Sequence, residues 1–157
     1  MFEQAHFLTQ NRNTTFVENA LMLLLDTNAL LWLSGGSERL GPNAREAIQA
    51  AVDADAAAFS AISVWEAAML VRKGRYALGM PVETWRLDLL AVGLREAPLD
   101  GPCAALAVSL EGLHEDPGDR FIAAAAVRLR AELVTSDRRL IEWAKGPGRP
   151  GALDARL

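Results

Sequence analysis

The feature that most constrains this fold is an apolar run that stops at an acid. Residues 20–25 (ALMLLL) are all apolar, and Asp26 follows them directly. Such a run predicts a strand buried on both faces, as in a parallel sheet covered by helices. A second apolar run, residues 133–135, predicts another buried strand, and Asp137 follows it by two positions. Because ligands bind beyond the carboxyl ends of parallel strands, both aspartates are expected at one edge of the sheet.

Short apolar strands alternate with longer helical segments along the rest of the chain. This alternation predicts an α/β fold with a central parallel sheet and helices on both faces. Strands are predicted at residues 20–25, 56–59, 95–99 and 133–135, with an edge strand at 152–157. Helices are predicted at residues 27–34, 42–52, 63–73, 81–92, 102–110, 116–129 and 138–144.

Length and composition predict one globular domain. The chain has 157 residues, of which 51% are apolar and 23% charged, a composition that supports a packed core. Residues 1–21 differ from the rest because they are polar and aperiodic, and we interpret them as a disordered extension or an over-called start before a domain at residues 22–157. The single cysteine, Cys103, excludes an internal disulfide and suits a reducing compartment.

Charge and hydropathy narrow the range of partners. The net charge of −4 argues against a protein that coats nucleic acid nonspecifically, so any contact with nucleic acid should be local. The N-terminus lacks the apolar stretch of a secretion signal, and the run at residues 20–25 is too short to cross a bilayer. A cytoplasmic protein without membrane contact is expected.

Four acidic side chains form the candidate site, and each also has a structural interpretation. Asp26 and Asp137 are suited to N-capping the helices that follow them. Glu66 is suited to a capping box with Ser63, although a carboxylate among apolar neighbours is expensive to bury without a partner. The fourth acid, Asp119, falls in the first turn of a predicted helix, where an anion is favoured.

The segment before Asp119 contains two further polar candidates. Asp116 precedes Pro117 and is assigned mainly to N-capping, because proline is favoured at the first helical position. His114 is assigned a structural or surface role rather than a role as a metal ligand.

Four converging carboxylates would repel one another unless protons or cations neutralise them. Ligands that are all oxygen favour Mg²⁺ or Mn²⁺ over zinc. Carboxylate-held magnesium is a common arrangement in phosphoryl chemistry. The pattern therefore predicts a metal-dependent phosphodiesterase or phosphatase.

Four motifs in order resemble the PIN-domain family and, within it, the VapC-type toxins of bacterial toxin–antitoxin pairs. They are MLLLDTNALLW, SAISVWEAAMLVRKGRYALGMPVETW, LHEDPGDRFIAAAA and LVTSDRRL. The resemblance covers residues 22–143. It implies a three-layer α/β/α sandwich and a ribonuclease that hydrolyses RNA with water activated by carboxylate-held Mg²⁺ or Mn²⁺.

The same resemblance implies roles for individual residues. The four acids of the family fall on Asp26, Glu66, Asp119 and Asp137, all of which are present. A hydroxyl near the metal falls on Thr135, and a position that orders the site falls on Asn28. The family also implies a cognate antitoxin protein and frequent homodimers.

Arginines near the acids are candidates for phosphate contacts. Arg120 and Arg138 are the two that we assign to RNA binding, and Arg139 is a further neighbour. A solvated helix face is the alternative for each of them.

Three other protein classes are rival interpretations of this acidic pattern. A haloacid dehalogenase phosphatase needs a second aspartate two residues after the first, where this chain has Asn28. A receiver domain needs paired acids after the first strand and a lysine after a late strand, which are missing here. The third rival is a catalytically silent RNA- or protein-binding module, which the presence of all four acids disfavours.

Overall fold

The computed structural model describes residues 21–157. The proposed N-terminal extension therefore lies outside the described residues, except for Leu21. The strands are β1 (Leu23–Leu25), β2 (Ala57–Ser60), β3 (Arg95–Ala97), β4 (Glu132–Thr135) and β5 (Ala152–Asp154). The helices are α1 (Thr27–Ser34), α2 (Pro42–Asp53), α3 (Ala61–Arg72), α4 (Val82–Ala91), α5 (Gly101–Ser109), α6 (Pro117–Leu129) and α7 (Arg138–Ala144).

The strands form one parallel sheet in the order β3-β2-β1-β4-β5. Every predicted strand and helix is present within residues 21–157, with modest shifts at the ends. Element ends are the least certain part of a sequence pattern, because the last turn of a helix and the last pair of a strand depend on tertiary contacts. The prediction of a parallel α/β sheet is confirmed.

Helices cover both faces of the sheet, so side chains from one strand alternate between two cores. Leu23 and Leu25 of β1 face the core built with α1, α2 and α4. Leu24 faces the opposite core, which is built largely with α6 and α7. Burial on both sides explains why the central strand is continuously apolar. This arrangement confirms the three-layer sandwich.

A run of alanines places α6 close to the sheet. Ala123 to Ala126 are consecutive and are all buried. Side chains this small let a helix backbone approach its neighbours closely, and α6 contacts both β1 and β2. The first turn of α6, which carries Asp119, is therefore held near the carboxyl ends of these strands. Within residues 21–157, no helix has both the length and the apolar character needed to cross a membrane.

We predict that Leu24→Ala destabilises the fold by about 2–5 kcal/mol, because it removes a fully buried side chain and leaves a cavity. Leu87→Ala is the matched control, since Leu87 is 53% exposed on α4, and it should change stability by less than about 0.5 kcal/mol. Urea unfolding of both variants checks this. Equal losses would contradict the packing described for β1.

Candidate active site

The candidate site lies where the direction of sheet building reverses. From β1 the sheet extends through β2 to β3 on one side and through β4 to β5 on the other. Such a switch point opens a crevice beyond the strand ends, where ligands bind in α/β folds. Asp26 directly follows β1, and Asp137 follows the neighbouring strand β4 by two residues. The structure therefore places both aspartates at the predicted edge.

Asp26 is held by two hydrogen bonds. One carboxylate oxygen, Oδ1, accepts the backbone N–H of Ala29 at 2.8 Å and so caps α1. The other, Oδ2, accepts the hydroxyl of the buried Thr135. Burial, with a smaller contribution from the charges of Glu66 and Asp137, raises the pKa of Asp26 to about 6 against the lowering effect of these bonds. The hydroxyl predicted to lie near the site is thus bonded directly to Asp26.

Glu66 faces the same edge from α3, and its capping-box interpretation is wrong. The helix begins two residues before Ser63, and Ser60 is its N-cap, accepting the N–H of Ile62 at 3.3 Å. Glu66 instead accepts the hydroxyl of Thr27 at 2.7 Å. Burial raises its pKa, the bond from Thr27 lowers it, and Asp116 raises it.

Asp119 lies in the first turn of α6, and its electrostatic environment shows that the acids converge. Its pKa is raised to about 7, first by burial and then by the charges of Asp116, Asp137, Glu66 and Asp26. Asp116 is the N-cap of α6, accepting the N–H of Asp119 at 3.2 Å. The capping role assigned to Asp116 is confirmed, and its charge also acts on the site.

Among the four acids, Asp137 is the one that accepts hydrogen bonds from an arginine side chain within the described residues, that of Arg139. It caps α7 by accepting the N–H of Arg139 at 2.7 Å, and the Arg139 guanidinium lies 3.1 Å from its other oxygen. Burial raises the pKa of Asp137, but the bonds and the charge of Arg139 outweigh that effect, so the pKa lies below its usual value. Asp137 therefore stays ionised more readily than Asp119.

His114 joins the site, which the sequence interpretation did not predict. Its Nε2 atom is buried, makes no hydrogen bond within residues 21–157, and lies 3.2 Å from Oδ2 of Asp119. One ligand atom from each of His114, Asp119 and Asp137 falls within 4.8 Å of the others. The preceding sequence carries no periodic signal for this approach, because His114 lies in a loop.

The other residues predicted from the sequence make fewer contacts with the four acids. The Asn28 side chain is exposed on α1 and has no hydrogen bond to another side chain or to the backbone within the described residues, so its ordering role stays a prediction. Arg138 is exposed, and its charge acts on Asp154 rather than on the four acids. Arg139, at 3.9 Å from Asp119 and 63% exposed, is the arginine that borders the site.

Arg120 is engaged in holding the backbone. One guanidinium nitrogen donates to the carbonyl oxygens of Ala107 at 2.8 Å and Leu110 at 3.2 Å. The second donates to Leu113 at 2.8 Å. These bonds tie the end of α5 to the loop that delivers His114. The predicted RNA contact of Arg120 stays a prediction, and its structural task is the one that these bonds describe.

The donor set fits a divalent cation. Carboxylates of Asp26, Glu66 and Asp119 have raised pKa values because they are desolvated and close together. A cation reverses both effects by supplying opposite charge where water is excluded. The Nε2 atom of His114, which has no hydrogen-bond partner within residues 21–157, lies beside the Asp119 carboxylate.

Removal of charge from Asp119 should change how stability depends on pH. Its folded pKa of about 7 lies above the unfolded value of about 3.9, so the folded state binds the proton more tightly. Without metal, stability should therefore be highest below about pH 4 for this group and fall as the pH rises through about 7. Asp119→Asn should flatten this fall.

Urea unfolding in EDTA between pH 5 and pH 8 measures the effect. Asp53→Asn is the matched control, because Asp53 is exposed on α2 away from the site, and it should keep the native slope. An Asp119→Asn slope equal to that of the control would contradict the raised pKa.

Known proteins share this sequence pattern and this fold. Residues 23–146 match the family model for the PIN domain. Ribonuclease VapC22 of Mycobacterium tuberculosis is 40% identical over 119 residues, which are 75% of this chain and 88% of that relative.

Two solved structures share the fold. A toxin–antitoxin complex from Klebsiella pneumoniae matches with a TM-score of 0.56 and 23% identity, over 83% of this chain and 99% of that chain. VapBC2 from Rickettsia felis, bound to a promoter DNA fragment, matches with a TM-score of 0.61 and 18% identity, over 85% and 98%. The family match and the 40% identical relative show that the chain belongs to the PIN domain family.

Proposed function

We propose that this protein is a divalent-metal-dependent endoribonuclease, with Mg²⁺ or Mn²⁺ as its cofactor, and the toxin of a toxin–antitoxin pair. The observation that carries the proposal is the convergence of carboxylates from β1, α3, α6 and α7 at one edge of the sheet. Family membership and the similarity to a named ribonuclease support the reaction class. The four acids proposed to hold the metal are Asp26, Glu66, Asp119 and Asp137.

Hydrogen bonds within the protein fix three of the acidic side chains of the site. Asp26 is fixed by the α1 backbone and Thr135, and Asp137 by the α7 backbone and Arg139. Glu66 is fixed by Thr27. A divalent cation bound among these oxygens would make water a stronger nucleophile and offset charge on the phosphodiester.

Contact with RNA should be local, because the net charge of the chain is −4 and cannot attract a polyanion as a whole. Arg139 is the proposed phosphate contact, since it is exposed and borders both Asp119 and Asp137. Arg138, which precedes it and is exposed, is proposed as a weaker contact. Both arginines lie at the start of α7.

The proposed protein partners are a cognate antitoxin and a second copy of the chain. The folds that match this one come from a toxin–antitoxin complex and from VapBC2. Exposed apolar side chains such as Trp65 (60% exposed) and Val108 (82% exposed) offer contact surface for proteins. A cytoplasmic location is proposed, because an RNA target and the free thiol of Cys103 suit that compartment.

Neutralising one proposed ligand should abolish RNA cleavage. Purified protein is incubated with structured and unstructured RNA in Mg²⁺ or Mn²⁺, with EDTA as the metal-free arm. Asp26→Asn and Asp137→Asn keep the shape and one carbonyl oxygen but remove the charge. Each should lower the cleavage rate by more than about 100-fold, since loss of even an outer-shell partner costs about 10–100-fold.

Asp53→Asn is the matched control, because it is the same substitution on an exposed helix face, and it should cleave at the native rate. Circular dichroism verifies that each variant is folded. If RNA stays intact in the presence of metal and calorimetry detects no Mn²⁺ binding, the nuclease function is contradicted. The catalytically silent binding module would then be the better interpretation.

A toxin should arrest growth through the same site. Induced expression of the native chain in a bacterial host is expected to stop growth, and expression of Asp137→Asn should leave growth unaffected at equal protein levels. Plating efficiency and immunoblotting measure the two quantities. Equal arrest by the native chain and the variant would show that toxicity does not depend on the acids.

A further inference from the structure

A short series of hydroxyl groups leads to Glu66. The Ser63 hydroxyl is completely buried and lies 2.9 Å from the Thr27 hydroxyl, which is also buried. The Thr27 hydroxyl lies 2.7 Å from Oε1 of Glu66. Thr27 and Glu66 come from helices α1 and α3, which follow the neighbouring strands β1 and β2.

The direction of these hydrogen bonds follows from the number of protons. A threonine hydroxyl carries one hydrogen, and an ionised carboxylate accepts only. Thr27 therefore donates to Glu66 and accepts from Ser63. The bond to Glu66 is assisted by charge, which makes it stronger than a bond between neutral groups. Ser63 in turn fixes the rotamer of Thr27 by donating to it.

The second oxygen of Glu66 is confined by α6. A Cβ atom added at Gly118 would lie 2.6 Å from Oε2 and 2.9 Å from Cδ of Glu66. Gly118 is buried in the first turn of α6, next to Asp119. A side chain larger than that of glycine would force the Glu66 carboxylate to move. Glu66 is thus seated between a hydroxyl of α1 and the bare backbone of α6.

We infer that Thr27 and Gly118 are positioning residues that hold the Glu66 carboxylate ready for the cation. This inference rests on the proposed function, because the cation is the one assigned to the nuclease site. A glutamate side chain has several rotatable bonds, and ordering them costs free energy when a ligand binds. Glu66 is already ordered in the folded protein by the Ser63–Thr27–Glu66 bonds and by the Gly118 contact. Less free energy is then lost when the cation binds, which favours metal binding.

The alternative is that Thr27 merely satisfies the buried Ser63 hydroxyl. Thr27→Val and Thr27→Ser separate the two roles, since valine keeps the shape without the hydroxyl and serine keeps the hydroxyl. Calorimetry with Mn²⁺ should show about 10–100-fold weaker binding for Thr27→Val, as for loss of an outer-shell partner. Thr27→Ser should bind close to the native affinity, and so should the matched control Thr84→Val on α4.

Gly118→Ala supplies a second, independent variant, because the three atoms nearest to its added Cβ all belong to the Glu66 carboxyl group. It should weaken Mn²⁺ binding to a similar degree. Circular dichroism and urea unfolding show whether each variant is folded. Native Mn²⁺ affinity in folded Thr27→Val and Gly118→Ala would overturn the positioning role.

A metal-free experiment separates this inference from the proposed function. Thr27→Val and Glu66→Leu are combined in a double-mutant cycle, because leucine removes the acceptor oxygens that glutamine would keep, and unfolding is measured in EDTA at pH 8. Partners in one hydrogen bond should give effects that do not add. If the changes in the free energy of unfolding are not additive but the native protein cuts no RNA, the Thr27–Glu66 hydrogen bond is supported and the nuclease function is rejected. If the changes are additive and the native protein cuts RNA, only the positioning role is overturned.

Discussion

Repulsion among desolvated carboxylates is the constraint on which the rest of this structure depends. Asp26 is 5% exposed, and the pKa of Asp119 is raised by burial and by four other acids. Such a cluster is held together only if rigid elements oppose the repulsion. Asp26 and Asp137 meet this need by capping α1 and α7, and Asp116 caps α6. The positive ends of three helices therefore point toward the acids, where the helix dipole stabilises them. For Asp26 and Asp137, capping is thus compatible with the metal binding proposed for the same side chains.

The sequence predicts the sheet, its helices and the common edge of Asp26 and Asp137, because buried parallel strands and the residues after them leave a strong pattern. The sequence also makes Glu66 and Asp119 candidates for the site, and the family resemblance implies a role for both. The same patterns say little about side chains that reach the site from loops or across helices. His114 lies 3.2 Å from Asp119, and Thr27 lies 2.7 Å from Glu66. Neither contact follows a helical or strand period, so both had to be read from the structure.

The error at Ser63 has a local cause. Ser60 and Ser63 both precede an apolar segment, and the spacing of Ser63 to Glu66 fits a capping box. The N-cap is set by the end of β2, which reaches Ser60 and leaves the helix to begin directly after it. Membership in the PIN domain family removes the haloacid dehalogenase and receiver alternatives on the same fold class. Fold class alone does not separate these enzymes, because related sheets carry different chemistries at the same edge.

On the proposed function, the charge of the site determines the order in which the cation and the RNA should bind. The acids converge on one crevice, and in their ionised forms they would repel phosphate before a cation is bound. A bound divalent cation would place positive charge where the strands end. Arg139 is paired with Asp137 in the structure, and a cation held by Asp137 would leave the guanidinium available to phosphate. On the proposed function, cation binding would therefore change a site that repels RNA into one that accepts it, through groups that are already in place.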